Sequence, residues 1–191
     1  MERRRRHLWI VTWLTIGRFP FVMLFFVTAL VNAWRPHPAW FVTAFVALIV
    51  AAVTDLFDGY YARKFQVETP FGAHADPLMD KLFYLVALPT LIYLAQRNGH
   101  SVHALWLLIM TVTFLARDQW VTFLRSIGSI YQVEGGASWT GKVRTCLNFP
   151  LLCGIYFFLE SGRGWIPAWV VYPTEVVAFI INLISIEVYT R

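Results

Sequence analysis

The sequence predicts an all-α integral membrane bundle, and three observations carry that prediction. Of the 191 residues, 58% are hydrophobic and 14% are charged, whereas soluble domains carry about a quarter charged residues. Six apolar stretches approach the roughly 20 residues that a helix needs to cross hydrocarbon. Proline and glycine clusters separate them, where helices are expected to stop. With no internal repeat, the chain reads as a single membrane domain of six transmembrane helices with an N-terminal amphipathic segment.

The elements follow in order. Leu8 to Arg18 is the amphipathic segment and leads into a first span, Phe19 to Trp34. Arg35-Pro36-His37-Pro38 breaks the chain before Ala39 to Arg63, and Thr69-Pro70 precedes Phe71 to Ala95. Asn98-Gly99 marks a turn into His103 to Arg125. Gly135-Gly136 precedes Gly141 to Leu159, and Gly162-Arg163-Gly164 precedes Trp165 to Tyr189. Trp34, Trp40, Trp165 and Trp169 fall near the ends of spans, where aromatic residues form interfacial belts. Phe19, Phe21, Phe25 and Phe26 read as lipid-facing or packing residues. Cys146 and Cys153 lie seven apart, about 10 Å along a helix, too far for a disulfide.

A net charge of +5 raises the possibility of a nucleic-acid partner, but its distribution points elsewhere. Arg3 to Arg6 form a run directly before the first apolar stretch and read as cytoplasmic anchoring to anionic lipid, with no nucleic acid involved. No small-residue cleavage site follows, and Arg18 and Pro20 interrupt the apolar run, so the segment is expected to stay attached. With the N-terminus inside, thirteen of the sixteen basic residues fall on inner connections or helix ends, leaving Arg35, Arg97 and Arg163 outside. The positive-inside rule then turns the inner ends of the second and third helices to the cytosol, and the chain is expected in the inner membrane.

Those inner ends carry the chemistry. Asp55-x-x-Asp58-Gly59-x-x-Ala62-Arg63 is followed, eight residues on, by Gly72-x-x-x-Asp76-x-x-x-Asp80. A carboxylate in hydrocarbon costs at least about 2.5 kcal/mol, so four of them demand strong counter-charge. On a helix, Asp55, Asp58, Gly59 and Ala62 at i, i+3, i+4 and i+7 share one stripe, as do Asp76 and Asp80 at i and i+4. Two facing stripes would gather oxygen donors around one or two hard cations. Gly59 and Ala62 leave room for a ligand against the backbone, and Arg63 offers a fork suited to phosphate. Buried ion pairs with Arg63, Lys64 and Lys81 are the alternative use of the same carboxylates.

The motif matches, position for position, the signature of the CDP-alcohol phosphatidyltransferase family, which this chain resembles. The resemblance implies that Asp55, Asp58, Asp76 and Asp80 bind two divalent cations, magnesium or manganese, and that Asp80 is the catalytic general base. It implies that Asp58, Gly59, Ala62, Arg63 and Gly72 hold CDP-diacylglycerol, and that the enzyme is a homodimer.

A second set of residues bears on the acceptor. Arg117-Asp118 and Arg125 close the fourth span, and Ser138-Trp139-Thr140-Gly141-Lys142-Val143-Arg144-Thr145 opens the fifth. Arg117, Arg125, Lys142 and Arg144 sit too near apolar runs to be simple solvated charge, and a basic pocket beside the metals would favour an acceptor that is a phosphate ester. Positive-inside anchoring is the competing reading. Within the family this stretch resembles phosphatidylglycerophosphate synthases, with Asp118 where Glu is usual and Arg144 where Lys is usual. Leu14-Thr15-x-x-Arg18 resembles their opening motif and adds Thr15 and Arg18 to the donor-binding set, although Thr12 stands where Asn is expected and Met79 where Ala is common.

The implied reaction moves a phosphatidyl group from CDP-diacylglycerol to sn-glycerol 3-phosphate and releases CMP. A cardiolipin synthase of the same family, using phosphatidylglycerol, is the alternative enzyme. A small ion or proton transporter is the alternative outside enzymes, since intramembrane carboxylates also serve transport. Transporter sites lie between inverted repeats at the bilayer midplane, and no repeat is evident here.

Overall fold

A computed structural model describes residues 2–65, 70–131, 139–162 and 165–190, and the side chains of 17–54, 78–128, 131, 143–144, 146–162 and 165–190. All described elements are helices: α1 Glu2–Trp34, α2 Pro38–Phe65, α3 Pro70–Arg97, α4 Ser101–Ile130, α5 Trp139–Glu160 and α6 Ala168–Thr190. Four of them contain stretches long and apolar enough to cross a membrane: Gly17–Trp34, Leu78–Arg97, Ser101–Gly128 and Ala168–Thr190. Pro38–Thr54 and Cys146–Glu160 are shorter apolar helices among the described residues. Among the described residues, four of the six expected spans meet the length and composition a crossing requires.

Two boundaries differ from the sequence expectation. The amphipathic segment and the first span form one helix, α1, which runs unbroken through Pro20. A proline ring removes one backbone donor but does not by itself end a helix whose neighbouring turns are satisfied. α4 continues past Arg125 to Ile130, because no glycine or proline pair interrupts the chain before Gly135-Gly136.

The chain divides into two packing units, Met1–Thr90 and Leu91–Arg191. In the first, α1 lies along α2. Arg18, Val22, Phe25, Ala29 and Ala33 form a buried stripe on α1 at three- and four-residue steps, and α2 buries Ala44, Ala47, Leu48, Ala51 and Ala52. Small residues let helix backbones approach closely where lipid supplies no hydrophobic drive. The connection is capped from both sides. Asn32 Oδ1 accepts from the His37 amide at 3.2 Å, and His37 Nδ1 accepts from the Ala39 amide at 3.1 Å. Pro38 occupies the first position of α2, where a missing N–H costs nothing.

In the second unit, α6 packs on α4 and α5. α3 ends at Gly99, whose φ of 81° suits glycine. His100 donates back to the Ala95 carbonyl at 2.9 Å and Gly99 to the Gln96 carbonyl at 3.2 Å, the double closure that ends a helix at a left-handed residue. α6 turns Val171, Glu175, Ala178, Asn182 and Ser185 inward, so three of its five buried residues are polar.

Exposure of the aromatics follows helix position. Trp34, Trp165 and Trp169 are exposed at or beside helix ends, as an interfacial belt requires. Phe19 and Phe21 are exposed while Phe25 is fully buried, so the α1 aromatics divide between outward and packing roles. Cys146 and Cys153 are both free.

Candidate active site

Helix geometry supplies the register that the aspartate motif needs. α2 is helical through Phe65 and α3 from Pro70, so positions 55, 58, 59 and 62 share a stripe on one helix and 76 and 80 on the other. On α2 that stripe continues, at the same three- and four-residue steps, the buried positions Ala44, Leu48 and Ala51. The side chains of Thr15, Asp55, Asp58, Ala62, Arg63 and Asp76, and the surroundings of Gly59 and Gly72, lie outside the described residues.

Asp80 is described, and its carboxylate meets an arginine. Arg18 Nη1 donates to Asp80 Oδ1 at 2.9 Å, with the Arg18 side chain 1% exposed and that of Asp80 31% exposed. A guanidinium buried among apolar helices requires an anionic partner, and α1 carries Arg18 on the stripe that packs the unit. Two residues assigned to different roles by resemblance, a donor-binding arginine and the general base, are therefore in contact. Asp80 is thus paired yet partly open to its surroundings. No group of three or more His, Cys, Asp and Glu assembles among the described residues. A hard divalent cation nevertheless fits the donor chemistry of the motif, in which all four side chains are carboxylates.

Of the residues expected at the acceptor, Arg117 and Arg144 meet at Asp118 in the second unit. Arg117, Asp118 and Arg144 are all buried, at 5%, 6% and 6% exposure. Arg117 Nη1 donates to Asp118 Oδ1 at 3.0 Å, and Arg144 Nη1 pairs with the same oxygen at 2.7 Å. Two like charges share one carboxylate oxygen, a geometry that Coulomb repulsion would open without further support.

That support comes from α6. Arg117 Nε donates to Ser185 Oγ at 3.1 Å, and its Nη2 donates to the same hydroxyl. Arg144 Nη1 reaches Asn182 Oδ1 at 3.4 Å, and Asn182 Nδ2 donates to the Ala178 carbonyl at 2.8 Å and reaches Asn148 Oδ1 at 3.4 Å. Arg125, exposed, donates from Nη2 to the Tyr189 hydroxyl at 2.9 Å. The Tyr189 ring lies under both Arg117 and Arg125, at 5.1 and 5.3 Å, within cation–π range. Of the four basic residues expected at the acceptor, the structure thus joins Arg117, Arg125 and Arg144, while the Lys142 side chain lies outside the described residues.

Sequence reasoning missed Asn148, Asn182, Ser185 and Tyr189. A signal was present: in the largely apolar α6, Glu175, Asn182 and Ser185 recur at i, i+7 and i+10, one helical face. Glu175 serves a separate purpose. Its Oε1 lies 2.7 Å from His103 Nε2, with both side chains buried and His103 edge-on to Tyr172 and Phe158.

Comparison with known proteins places this geometry in context. The family model described as CDP-alcohol phosphatidyltransferase matches residues 8–184. A Yersinia pestis (strain Pestoides F) protein named CDP-diacylglycerol--glycerol-3-phosphate 3-phosphatidyltransferase is 34% identical over 153 residues, 76% of this chain and 75% of the relative. Relatives of the same name are 37% identical in Sodalis glossinidius, over 71% of this chain and 70% of the relative, and 30% identical in Pectobacterium atrosepticum, over 89% and 87%.

Proposed function

The chain belongs to the CDP-alcohol phosphatidyltransferase family, and on that premise we propose that it transfers the phosphatidyl group of CDP-diacylglycerol to sn-glycerol 3-phosphate, giving phosphatidylglycerophosphate and CMP. The observation that carries the choice of acceptor is the buried Arg117–Asp118–Arg144 group. Arg117 has five N–H donors, of which the contacts to Asp118 and Ser185 use three among the described residues. Two remain, in the planar fork that matches a phosphate. A phosphate monoester fits such a group, whereas glycerol or serine gives it little to pair with. The relatives' printed name, which specifies glycerol 3-phosphate, agrees.

In the proposed reaction Asp80 takes the proton of the acceptor hydroxyl. The resulting oxygen attacks the phosphorus next to diacylglycerol, the bond from that phosphorus to the bridging diphosphate oxygen breaks, and CMP departs. Arg18, fixed on Asp80 Oδ1, holds the carboxylate in one orientation, and positioning within hydrogen-bond reach is what general-base catalysis requires. Asp55, Asp58, Asp76 and Asp80 would hold the divalent cations, magnesium or manganese, whose chemistry is to stabilise negative charge on the diphosphate. Asp58, Gly59, Ala62, Arg63 and Gly72, with Thr15 and Arg18, would hold the donor.

The test is an acceptor panel with purified protein and CDP-diacylglycerol. CMP release should require sn-glycerol 3-phosphate and should not occur with glycerol or serine. Turnover with phosphatidylglycerol and none with glycerol 3-phosphate would replace this reading with a cardiolipin synthase. The proposed orientation, with the aspartate motif facing the cytosol, follows from the basic residues. A cysteine placed at His37 or Gly164 should react with an impermeant reagent added outside, and one at Glu68 or Glu134 should not; the reverse labelling would invert the topology.

A further inference from the structure

We propose that α6 is the positioning arm of the acceptor site: the stripe Asn182, Ser185 and Tyr189 holds Arg144, Arg117 and Arg125 in the arrangement that receives the phosphate. The inference rests on the reading that these arginines bind the acceptor, and it adds residues that neither the motif nor the relatives' names identify.

The three residues stand at i, i+3 and i+7 and so share one face of α6. Each meets a different arginine from another helix. Asn182 Oδ1 accepts from Arg144, Ser185 Oγ accepts twice from Arg117, and the Tyr189 hydroxyl accepts from Arg125. All three contacts are to neutral oxygen. A neutral acceptor fixes a guanidinium without cancelling its charge, whereas a second carboxylate would compete with the incoming phosphate. Ser185 engages Nε and Nη2, Asp118 engages Nη1, and the Tyr189 ring covers the plane at 5.1 Å. The plane of Arg117 is thereby set by three contacts, and its rotation is removed before the ligand arrives. Preorganisation of this kind raises affinity by removing ordering costs at the moment of binding. Asn182 is itself anchored to the Ala178 carbonyl at 2.8 Å and to Asn148 at 3.4 Å, so the arm is braced against α5.

These are positioning residues, and the test must separate positioning from packing. Ser185→Ala should raise the KM for sn-glycerol 3-phosphate on the order of 10-fold, the scale of a lost bond to a charged group, and leave the CDP-diacylglycerol KM unchanged. Ser185→Thr, which keeps the hydroxyl, should restore the acceptor KM. In an Arg117→Ala background, Ser185→Ala should add nothing, because the two act as one unit. Tyr189→Phe keeps the ring under Arg117 and should raise the acceptor KM only a few-fold. The proposal is overturned if Arg117→Ala raises the acceptor KM and Ser185→Ala does not. It is also overturned if donor and acceptor KM rise together, or if threonine fails to restore, since α6 would then be a packing element. If Arg117→Ala itself leaves the acceptor KM unchanged, the acceptor reading fails and takes this inference with it.

Discussion

The two packing units solve the same problem, a charge among apolar helices, in opposite ways. In the first, the fully buried Arg18 meets a carboxylate that keeps 31% exposure. In the second, two buried arginines share a single buried carboxylate oxygen and also meet hydroxyl and amide oxygens. Burying a charge is expensive unless it is paired, so such groups persist where they bind or react. The first unit invests in accessible anion, with three further aspartates in its sequence motif. The second holds its arginines in fixed positions, and the contacts of Arg117 to Asp118 and Ser185 engage three of its five N–H donors among the described residues. Under the proposed function, the first unit would carry the cation-assisted chemistry on the donor and the second would recognise the anionic acceptor.

The sharpest way to break that contrast is to remove divalent cations. A chelator in excess should abolish turnover, and added magnesium or manganese should restore it. Full activity under chelation would leave the aspartates as ion-pair partners only. The next effect in size concerns Asp80. Asp80→Asn should lower kcat by about 10²- to 10⁴-fold, the usual contribution of a general base, with CDP-diacylglycerol binding retained. Asp55→Asn should weaken metal and donor binding together, because position 55 lies centrally on the stripe. Near-normal turnover in Asp80→Asn would reassign the base.

What the sequence made legible, and what it hid, follows the same division. Helix-ending chemistry was readable: the turn expected at Asn98-Gly99 closes α3 with Gly99 at φ 81°, and the break expected at Arg35-Pro36-His37-Pro38 lies at the junction of α1 and α2. The aspartate register was readable because spacing on a helix is geometry, and α2 and α3 are helical where the motif lies. The join between the amphipathic segment and the first span was not readable, since a single proline inside a long helix is tolerated when its neighbours pack. The α6 stripe was hidden for another reason. Asn182 and Ser185 are short neutral residues, each unremarkable in an apolar helix, and only the arginines on α4 and α5 reveal why they are buried. Charged residues advertise a site in sequence, whereas the neutral groups that aim them become visible only when helices are packed.

The central claim is this division of labour, and Arg144→Ala tests it most directly, with the KM of each substrate measured in the same preparation. Loss of a charge-assisted contact costs about 1.5–3 kcal/mol, or roughly 10- to 150-fold. A rise of that size in the KM for sn-glycerol 3-phosphate, with the CDP-diacylglycerol KM unchanged, is the predicted result. An equal rise in both, or a rise in the donor KM alone, would contradict it.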